Sequence, residues 1–432
     1  MASKLLARIL VRKCLQVALL AALLSQPAQA GKLPDLVIPE GVGINIHFTR
    51  GNEKDLDLIA AAGIRVVRTD LKWDETERYK GVYDWSAYDE LAANLAKRGI
   101  RPLFILDYSN PLYEETKHKL WLNIWSYYEV MSPRSPTSIA AFARWAVAAE
   151  QHFRKYDVIW EIWNEPNIKF WKPAPAVAEY TRLAMATCQA IHAANPNATV
   201  IGPASSGIPW DFLEYLFKAG ALSCLDAVSV HPYRNSIPES AGGDYIRLRK
   251  LVDQYTPANH KEKIPILSGE WGYATVLLGR PQIEQANFVV RMQLFNMLYG
   301  IPLSVWYDWK NDGTDRRKHE HNFGVVQTDL APKSSYVALK TLTTQLSGFK
   351  LVMRLNLGKS DDYALLFMNA AGQGKIVAWT IGRPHKTRIA GPPAPRPTKM
   401  TLTTWEGFKS DFQLDGAWIP VSLSQSPIYI SP

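Results

Sequence analysis

Short β-branched runs alternate with amphipathic stretches eight times between residue 43 and about 345, and this rhythm leaves the chain few possible folds. The expected strands are Gly43–Phe48, Ile64–Thr69, Arg101–Leu106, Val158–Trp163, Thr199–Gly202, Ala227–Val230, Ile264–Ser268 and Leu303–Trp306. The expected helices between and after them are Lys54–Ala62, Ala87–Arg98, Thr137–Lys155, Ala176–Ala194, Trp210–Lys218, Asp244–Gln254, Ile283–Tyr299 and Ser334–Leu346. Gly63, Gly99 and Asn195-Pro196 stand just past three of the helices as stop signals. Eight such units over roughly 300 residues match a (β/α)8 barrel. The rival is an open doubly wound sheet, but the first strand runs into Thr49-Arg50-Gly51-Asn52, not a glycine-rich phosphate loop. The expected fold class is therefore α/β, a TIM barrel.

After Leu346 the pattern becomes all-β. Strand-like runs Tyr363–Met368 and Lys375–Ile381 flank a turn at Asn369–Gly374, a proline-rich loop spans Gly391–Pro397, and short strands continue to Tyr429. We read residues 31–346 as the barrel and 347–432 as a small β-sandwich of structural rather than sugar-binding role.

Residues 1–30 are set apart. Lys4, Arg8, Arg12 and Lys13 precede an apolar run, Leu15–Leu24, and Ala28-Gln29-Ala30 supplies small residues for cleavage, the layout of a secretory signal peptide. The run is short of the ~20 residues that span a bilayer. A periplasmic or secreted protein is expected, with an uncleaved membrane tether as the alternative. Without those four basic residues the net charge of +9 falls to +5, too little to specify an acidic partner. Aromatic residues are abundant (15 Trp, 19 Tyr, 14 Phe), which excludes disorder. No basic cluster interleaves with them, so nucleic acid is not an expected partner. Three cysteines exclude a disulfide-framed mini-protein or a Cys-ligated metal domain. Cys188 and Cys224 can pair only if their Cα atoms lie within about 7 Å. One is placed mid-helix and the other just before a strand, which leaves pairing open and leans slightly against it.

In a barrel of this kind the chemistry sits at the C-terminal ends of the strands. Those ends carry His47; Arg68 and Asp70; Asp107-Tyr108; Trp163-Asn164-Glu165-Pro166-Asn167; His231-Pro232-Tyr233; Gly269-Glu270-Trp271; and Trp306-Tyr307-Asp308-Trp309. Glu165 and Glu270 end the fourth and seventh strands, on opposite sides of the mouth and amid aromatic residues. A carboxylic acid that protonates a leaving oxygen, opposite a carboxylate that attacks or stabilises an oxocarbenium-like carbon, is what glycosidic cleavage needs.

The run Glu161-Ile162-Trp163-Asn164-Glu165-Pro166-Asn167, with Glu270 ending the seventh strand, resembles clan A of the glycoside hydrolases. It is most similar to family 39, whose members also carry an appended β-domain, and within it to secreted exopolysaccharide glycosidases of the Psl type from biofilm operons. The resemblance covers roughly residues 40–432. It implies a retaining glycosidase with Glu165 as general acid/base and Glu270 as nucleophile, their carboxyl groups about 5–5.5 Å apart rather than the 6.5–9.5 Å of inverting enzymes. It also implies Arg68 and Tyr233 as the partners that keep Glu270 ionised. Asn164 would bind the sugar 2-hydroxyl, and Trp306 would be the floor beneath the sugar. Tyr108 and Trp271 complete the candidate contacts. His47 and His231 are open between substrate contact and satisfied barrel histidine, while Glu161 reads as a paired structural carboxylate. No cofactor or metal is expected. His319, Glu320 and His321 are read as loop, since adjacent residues do not readily face one ion.

Aromatic residues also crowd the loops at that end: Tyr113, Trp121, Trp125, Tyr127 and Tyr128 after strand 3, Phe170 and Trp171 after strand 4, and Tyr273 after strand 7. A row of rings suits a polymer, so endo-cleavage of a polysaccharide by a monomeric enzyme is expected. An exo-acting site blocked by the long loop after strand 3 is the alternative, as is a non-catalytic polysaccharide-binding or export scaffold.

Overall fold

The computed structural model describes residues 33–121, 125–258, 260, 262–391, 397 and 399–432; the segment read as a signal peptide lies outside them. Barrel strands are β1 (Val42–Asn45), β2 (Val66–Lys72) and β3 (Arg101–Asp107), then, after a hairpin of β4 (Thr116–Trp121) and β5 (Trp125–Val130), β6 (Ile159–Ile162), β7 (Thr199–Ser206), β8 (Ala227–His231), β9 (Ile266–Trp271) and β10 (Ser304–Trp306). The eight pair in parallel around a closed ring, β1–β2–β3–β6–β7–β8–β9–β10 and back to β1. Their side chains are almost wholly buried because the barrel interior covers one face and helices the other. The helices follow at Glu53–Ala61, Ser86–Ala96, Pro136–Phe153, Val177–Ala194, Trp210–Lys218, Gly242–Tyr255, Gln282–Leu298 and Ser334–Leu346.

Local chemistry sets the element ends. Ser135 accepts a hydrogen bond from the Ser138 amide and Pro136 takes the first turn, which fixes the start of the third helix. Gly63 ends the first helix at φ +75°, and a Cβ there would meet Thr343 Oγ1 at 2.6 Å, so both conformation and packing require glycine.

Two features differ from the sequence reading. The segment after β3, expected as a long loop, forms an antiparallel hairpin pairing Thr116 with Val130 through Trp121 with Trp125. The sequence between its strands, Leu122-Asn123-Ile124, offers no Gly or Pro of the kind that marks hairpins. The second difference is that Cys188 and Cys224 form a disulfide with Cα atoms 6.1 Å apart. Helix Val177–Ala194 packs beside the turn that leads into β8, which brings a mid-helix residue within reach of a pre-strand one.

Beyond the last barrel helix lies a six-stranded antiparallel sheet, in the order β11 (Phe349–Arg354), β12 (Asp362–Asn369), β13 (Gly374–Thr380), β18 (Ile428–Ser431), β15 (Lys399–Thr403), β16 (Lys409–Gln413). A ribbon of β14 (His385–Ala390) and β17 (Trp418–Leu423) accompanies it. Alternation along the strands decides what each face covers. Ala364, Ile376 and Ala378 pack with Ile389, Ile419 and Val421 of the ribbon, whereas Tyr363, Leu365, Val377 and Trp379 join the barrel's apolar core. Helix Gln282–Leu298 lies between barrel and sheet and is buried without a break from Gln285 to Asn296. Within that layer Glu239 accepts from Arg291 Nε and Nη2 at 2.7 and 2.6 Å, and from Trp379 Nε1 at 2.8 Å. No helix among the described residues is long and apolar enough to cross a membrane.

The disulfide closes a loop of 36 residues. Replacing both cysteines by alanine is expected to lower unfolding stability by about 3–4 kcal/mol, measured by equilibrium denaturation with and without reductant; equal stability of the two forms would contradict the bond's role.

Candidate active site

Arg68 organises the mouth of the barrel. It points inward from β2, is 1% exposed, and directs all five of its N–H bonds at acceptors. Nε donates to Glu161 Oε2 (2.7 Å). Nη1 donates to Asn45 Oδ1 (3.1 Å) and Glu270 Oε2 (2.6 Å). Nη2 donates to Asn164 Oδ1 (2.9 Å) and meets His231 Nε2 at 3.3 Å. Burial opposes its charge, but Glu161 and Glu270 outweigh burial and hold its pKa above the usual arginine value. Glu161 also accepts from Ser229, so its two oxygens are both occupied.

Glu270 ends β9 with both oxygens held, Oε2 by Arg68 and Oε1 by the Tyr233 hydroxyl at 2.9 Å. Burial alone would raise its pKa, yet the charge of Arg68 and the hydrogen bonds from Tyr233 and Arg68 lower it below the ordinary carboxylate value. Tyr233 shows the reverse, its hydroxyl pushed far up by burial and by Glu270. It therefore keeps its proton and is a dependable hydrogen-bond donor to Glu270.

Glu165 follows β6 in a turn where Trp163 (φ +69°) and Glu165 (φ +48°) both adopt left-handed backbone, at a cost on the order of 1–2 kcal/mol each. The Trp163 amide bonds to Leu106 O and the Glu165 amide to Ala204 O, which holds the turn from both neighbouring strands. The conformation turns Glu165 toward His231, whose Nδ1 lies 2.9 Å from Glu165 Oε1. A guanidinium N–H can only donate, so in the neutral ring Nε2 accepts from Arg68 and Nδ1–H donates to Glu165. Oxygens of Glu165 and Glu270 and a ring nitrogen of His231 all lie within 4.8 Å of one another.

The remaining sequence candidates divide. Asn164 is fixed between Arg68 and the Tyr108 hydroxyl, to which its Nδ2 donates at 3.2 Å. Tyr108 lies along Phe170, ring centroids 6.1 Å apart. His47 stands 3.6 Å from Asp308, its ring edge-on to Tyr307. Trp306 and Trp271, by contrast, are 0% exposed and do not line the mouth. Strand alternation explains this: with Glu270 facing inward, Trp271 faces the helices and packs beneath Arg234. Trp306 likewise packs against Tyr273. The half-buried ring in the position expected of Trp306 is Tyr307, bordered by His47, Tyr233 and Phe323. Alternation counted from Glu270 was the available signal for Trp271. For Tyr307 there was none, because β10 is three residues long. Trp171 and Tyr273, expected as platforms, are buried, while Tyr128 of the hairpin stands 74% exposed; the side chains of Trp121, Trp125 and Tyr127 lie outside the description.

Asp308, named at the end of strand 8 but assigned no role, is buried beside His47, and burial pushes its carboxyl up to about 6 while His47 pulls the other way. Among the described residues, Cys188, His192 and Cys224 also converge, but both sulfurs are in the disulfide; of the groups free to bring ligand atoms to a metal, one is Glu165, His231 and Glu270, and another is His47, Asp308 and Asp312. In the first of these two, the Arg68 guanidinium already supplies the cation.

Residues 39–313 match the family model described as cellulase (glycosyl hydrolase family 5). A 111-residue stretch is 35% identical to a β-xylosidase of Geobacillus stearothermophilus, covering 23% of this chain; the match spans about a fifth (21%) of that protein's length. A family 39 glycoside hydrolase from Bacteroides cellulosilyticus WH2 superposes with a TM-score of 0.76 at 24% identity, over 93% of this chain and 81% of that one. A monomeric β-xylosidase from Caulobacter crescentus CB15 gives 0.65 at 18%, over 93% and 97%. At these identities the structural likenesses speak for the fold.

Removing the hydroxyl in Tyr233→Phe leaves Glu270 buried with one donor fewer, so its pKa is expected to rise, read by carboxylate carbon-13 NMR titration. An unchanged Glu270 titration would contradict the assignment of Tyr233 as its partner.

Proposed function

Because the chain belongs to the cellulase family (glycosyl hydrolase family 5), is a clan A glycosidase and has a family 39-like architecture, we propose that it is a retaining enzyme that cleaves an exopolysaccharide internally. The observation that supports this is that one oxygen of Glu165 and one of Glu270 lie within 4.8 Å across one mouth, as the short carboxyl spacing of a double-displacement site requires. Glu165 protonates the glycosidic oxygen as Glu270 attacks the anomeric carbon, which breaks the C–O bond and forms a glycosyl ester. Glu165, now ionised, takes a proton from water as that water attacks the same carbon and releases Glu270. His231 positions Glu165, and Arg68 and Tyr233 keep Glu270 ionised. Asn164 meets the sugar 2-hydroxyl, and Tyr307 gives the ring its apolar wall.

Support for a polymer comes from the aromatic surface of Tyr108, Phe170 and the hairpin's Tyr128 on the loops after β3 and β6. The β-xylosidases among the similar proteins support the alternative, an exo-acting enzyme. The sequence of residues 1–30 supports export to the periplasm or beyond, where such a polymer lies, and a monomer suffices for the chemistry.

Glu165→Gln is expected to lower polymer cleavage by about 10²–10⁴-fold, and Glu270→Gln by at least as much, with folding intact by circular dichroism. Early products of the wild type should be oligosaccharides, and proton NMR should show them first in the anomeric form of the bond cut. Monosaccharide appearing first would overturn the endo reading, and inverted product would overturn double displacement. Tyr307→Ala should raise KM by about tenfold, while Trp306→Phe leaves KM unchanged; the opposite result would restore Trp306 as the floor.

A further inference from the structure

Beside the catalytic pair, one buried carboxyl group lacks the partners that its position demands. Asp308 follows β10 and is 1% exposed. Among the described residues no hydrogen-bond partner reaches its Oδ1. Its Oδ2 faces His47 Nε2 at 3.6 Å, beyond hydrogen-bond length. A buried carboxylate in that state is costly, and native structures nearly always supply it with a donor or a cation.

The backbone sets Asp308 and His47 side by side. The Trp309 amide donates to Asn45 O at 3.0 Å, which fastens the end of β10 to the end of β1. The Val325 amide donates to the Asp308 and Trp309 carbonyls at 3.2 and 3.0 Å, which braces the same stretch from the other side. A third group, Asp312, approaches from the loop that follows. One ligand-type atom each from His47, Asp308 and Asp312 lie within 4.8 Å of one another. The turn after Asp312 is close-packed, since a Cβ at Gly313 would meet His321 Nδ1 at 2.3 Å. His47 and Asp312 are exposed, so the cluster opens to solvent on one side and closes on Asp308 on the other. Two lysines that flank the loop are engaged elsewhere: Lys310 Nζ donates to Asp55 at 2.8 Å, and Lys333 Nζ to Asn311 Oδ1 and Asn322 O at 3.4 and 3.2 Å.

We propose that His47, Asp308 and Asp312 bind a divalent transition-metal ion of the zinc type. Two ligand atoms held about 2.0–2.1 Å from a tetrahedral ion stand about 3.4 Å apart. The 3.6 Å between His47 Nε2 and Asp308 Oδ2 is thus too long for a direct hydrogen bond and well suited to sharing an ion. Asp312, exposed on its loop, turns to close the remaining gap. One imidazole with two carboxylates suits zinc and its neighbours, whereas calcium and magnesium take oxygen ligands. With the imidazole neutral, two carboxylates balance one dication. Three protein ligands leave the solvent side of the ion to water. The ion has no step in glycosidic cleavage, and the proposal does not depend on that reading. Its effect is to tie the loop after β10 to β1 and to fix the ring of His47, whose centroid lies 5.5 Å from that of Tyr307.

The test is calorimetric titration of the full-length protein with zinc ion, with calcium and magnesium as comparisons and cobalt(II) as a visible-absorption probe of the ligand set. One zinc should bind per chain, at least about tenfold more tightly than calcium or magnesium, and should raise the Tm. Asp312→Ala, an exposed change that leaves the core untouched, should weaken zinc binding by about 10–100-fold or more and remove most of the rise in Tm. His47→Phe, which keeps a ring but no nitrogen, should do the same and change the cobalt spectrum. Glu165→Gln, which alters the neighbouring cluster, should bind zinc as wild type does. The proposal is overturned if wild type binds no zinc, or if Asp312→Ala or His47→Phe binds it as wild type does. Calcium or magnesium binding as tightly as zinc, or loss of zinc binding in Glu165→Gln, would overturn it equally.

Discussion

The site depends on one fully bonded guanidinium. Arg68 connects Asn45 on β1, Glu161 and Asn164 on and just after β6, His231 on β8 and Glu270 on β9, so one side chain spans the barrel mouth. Each contact has a different consequence. Glu161 neutralises the arginine so that it can be buried. Glu270 keeps its charge, Asn164 is aimed, and His231 has its acceptor nitrogen defined. A lysine could not do this, because it has three donors on a point charge and not five in a plane. The closeness of Glu165 and Glu270 therefore follows from how they are tied, Glu270 directly and Glu165 through His231.

The barrel was legible because its signals are periodic and repeated. All eight strand runs and eight helical runs recur within a few residues of their expected limits, and two helices, Trp210–Lys218 and Ser334–Leu346, match at both ends. What escaped lacked such a signal. The sequence between β4 and β5 contains no Gly or Pro, and the aromatic residues of the hairpin suit a loop as well as a strand. The Cys188–Cys224 bond depends on where a helix lies relative to the turn before β8, a tertiary distance to which local sequence is blind. The β-ribbon over the six-stranded sheet is written in alternation, but only the pairing pattern says which set of alternate residues meets the barrel.

For the site, the rule that barrel chemistry lies at strand C-termini gave Arg68, Asn164, Glu165, His231, Tyr233 and Glu270 as neighbours, and the structure brings these six together. The same rule misplaced Trp271 and Trp306, because it says how far along a strand a residue lies and not which way it faces. Facing is set by alternation, and alternation from Glu270 turns Trp271 away. The chain leaves β10 after Trp306, so the next residue, Tyr307, turns inward where a longer strand would have been read differently. Asp308 stood among the strand-end residues but was given no role, and Phe323 could not be foreseen, since it borders the site only through the loop that follows.

The backbone around Asn164 shows why so rigid a surround is needed. Left-handed conformations at Trp163 and Glu165 are unfavourable for residues with side chains, and in an isolated turn they would relax. Here the Trp163 and Glu165 amides are each held by a carbonyl of an adjacent strand, Leu106 on one side and Ala204 on the other, and Tyr180 donates to Ile162 O just before the turn. Relaxing either dihedral would break bonds to two strands and swing Glu165 away from His231. The barrel thus converts packing stability into the position of a single carboxyl group, and the distance between Glu165 and Glu270 is a property of the whole ring of strands and not of the loop that carries the acid.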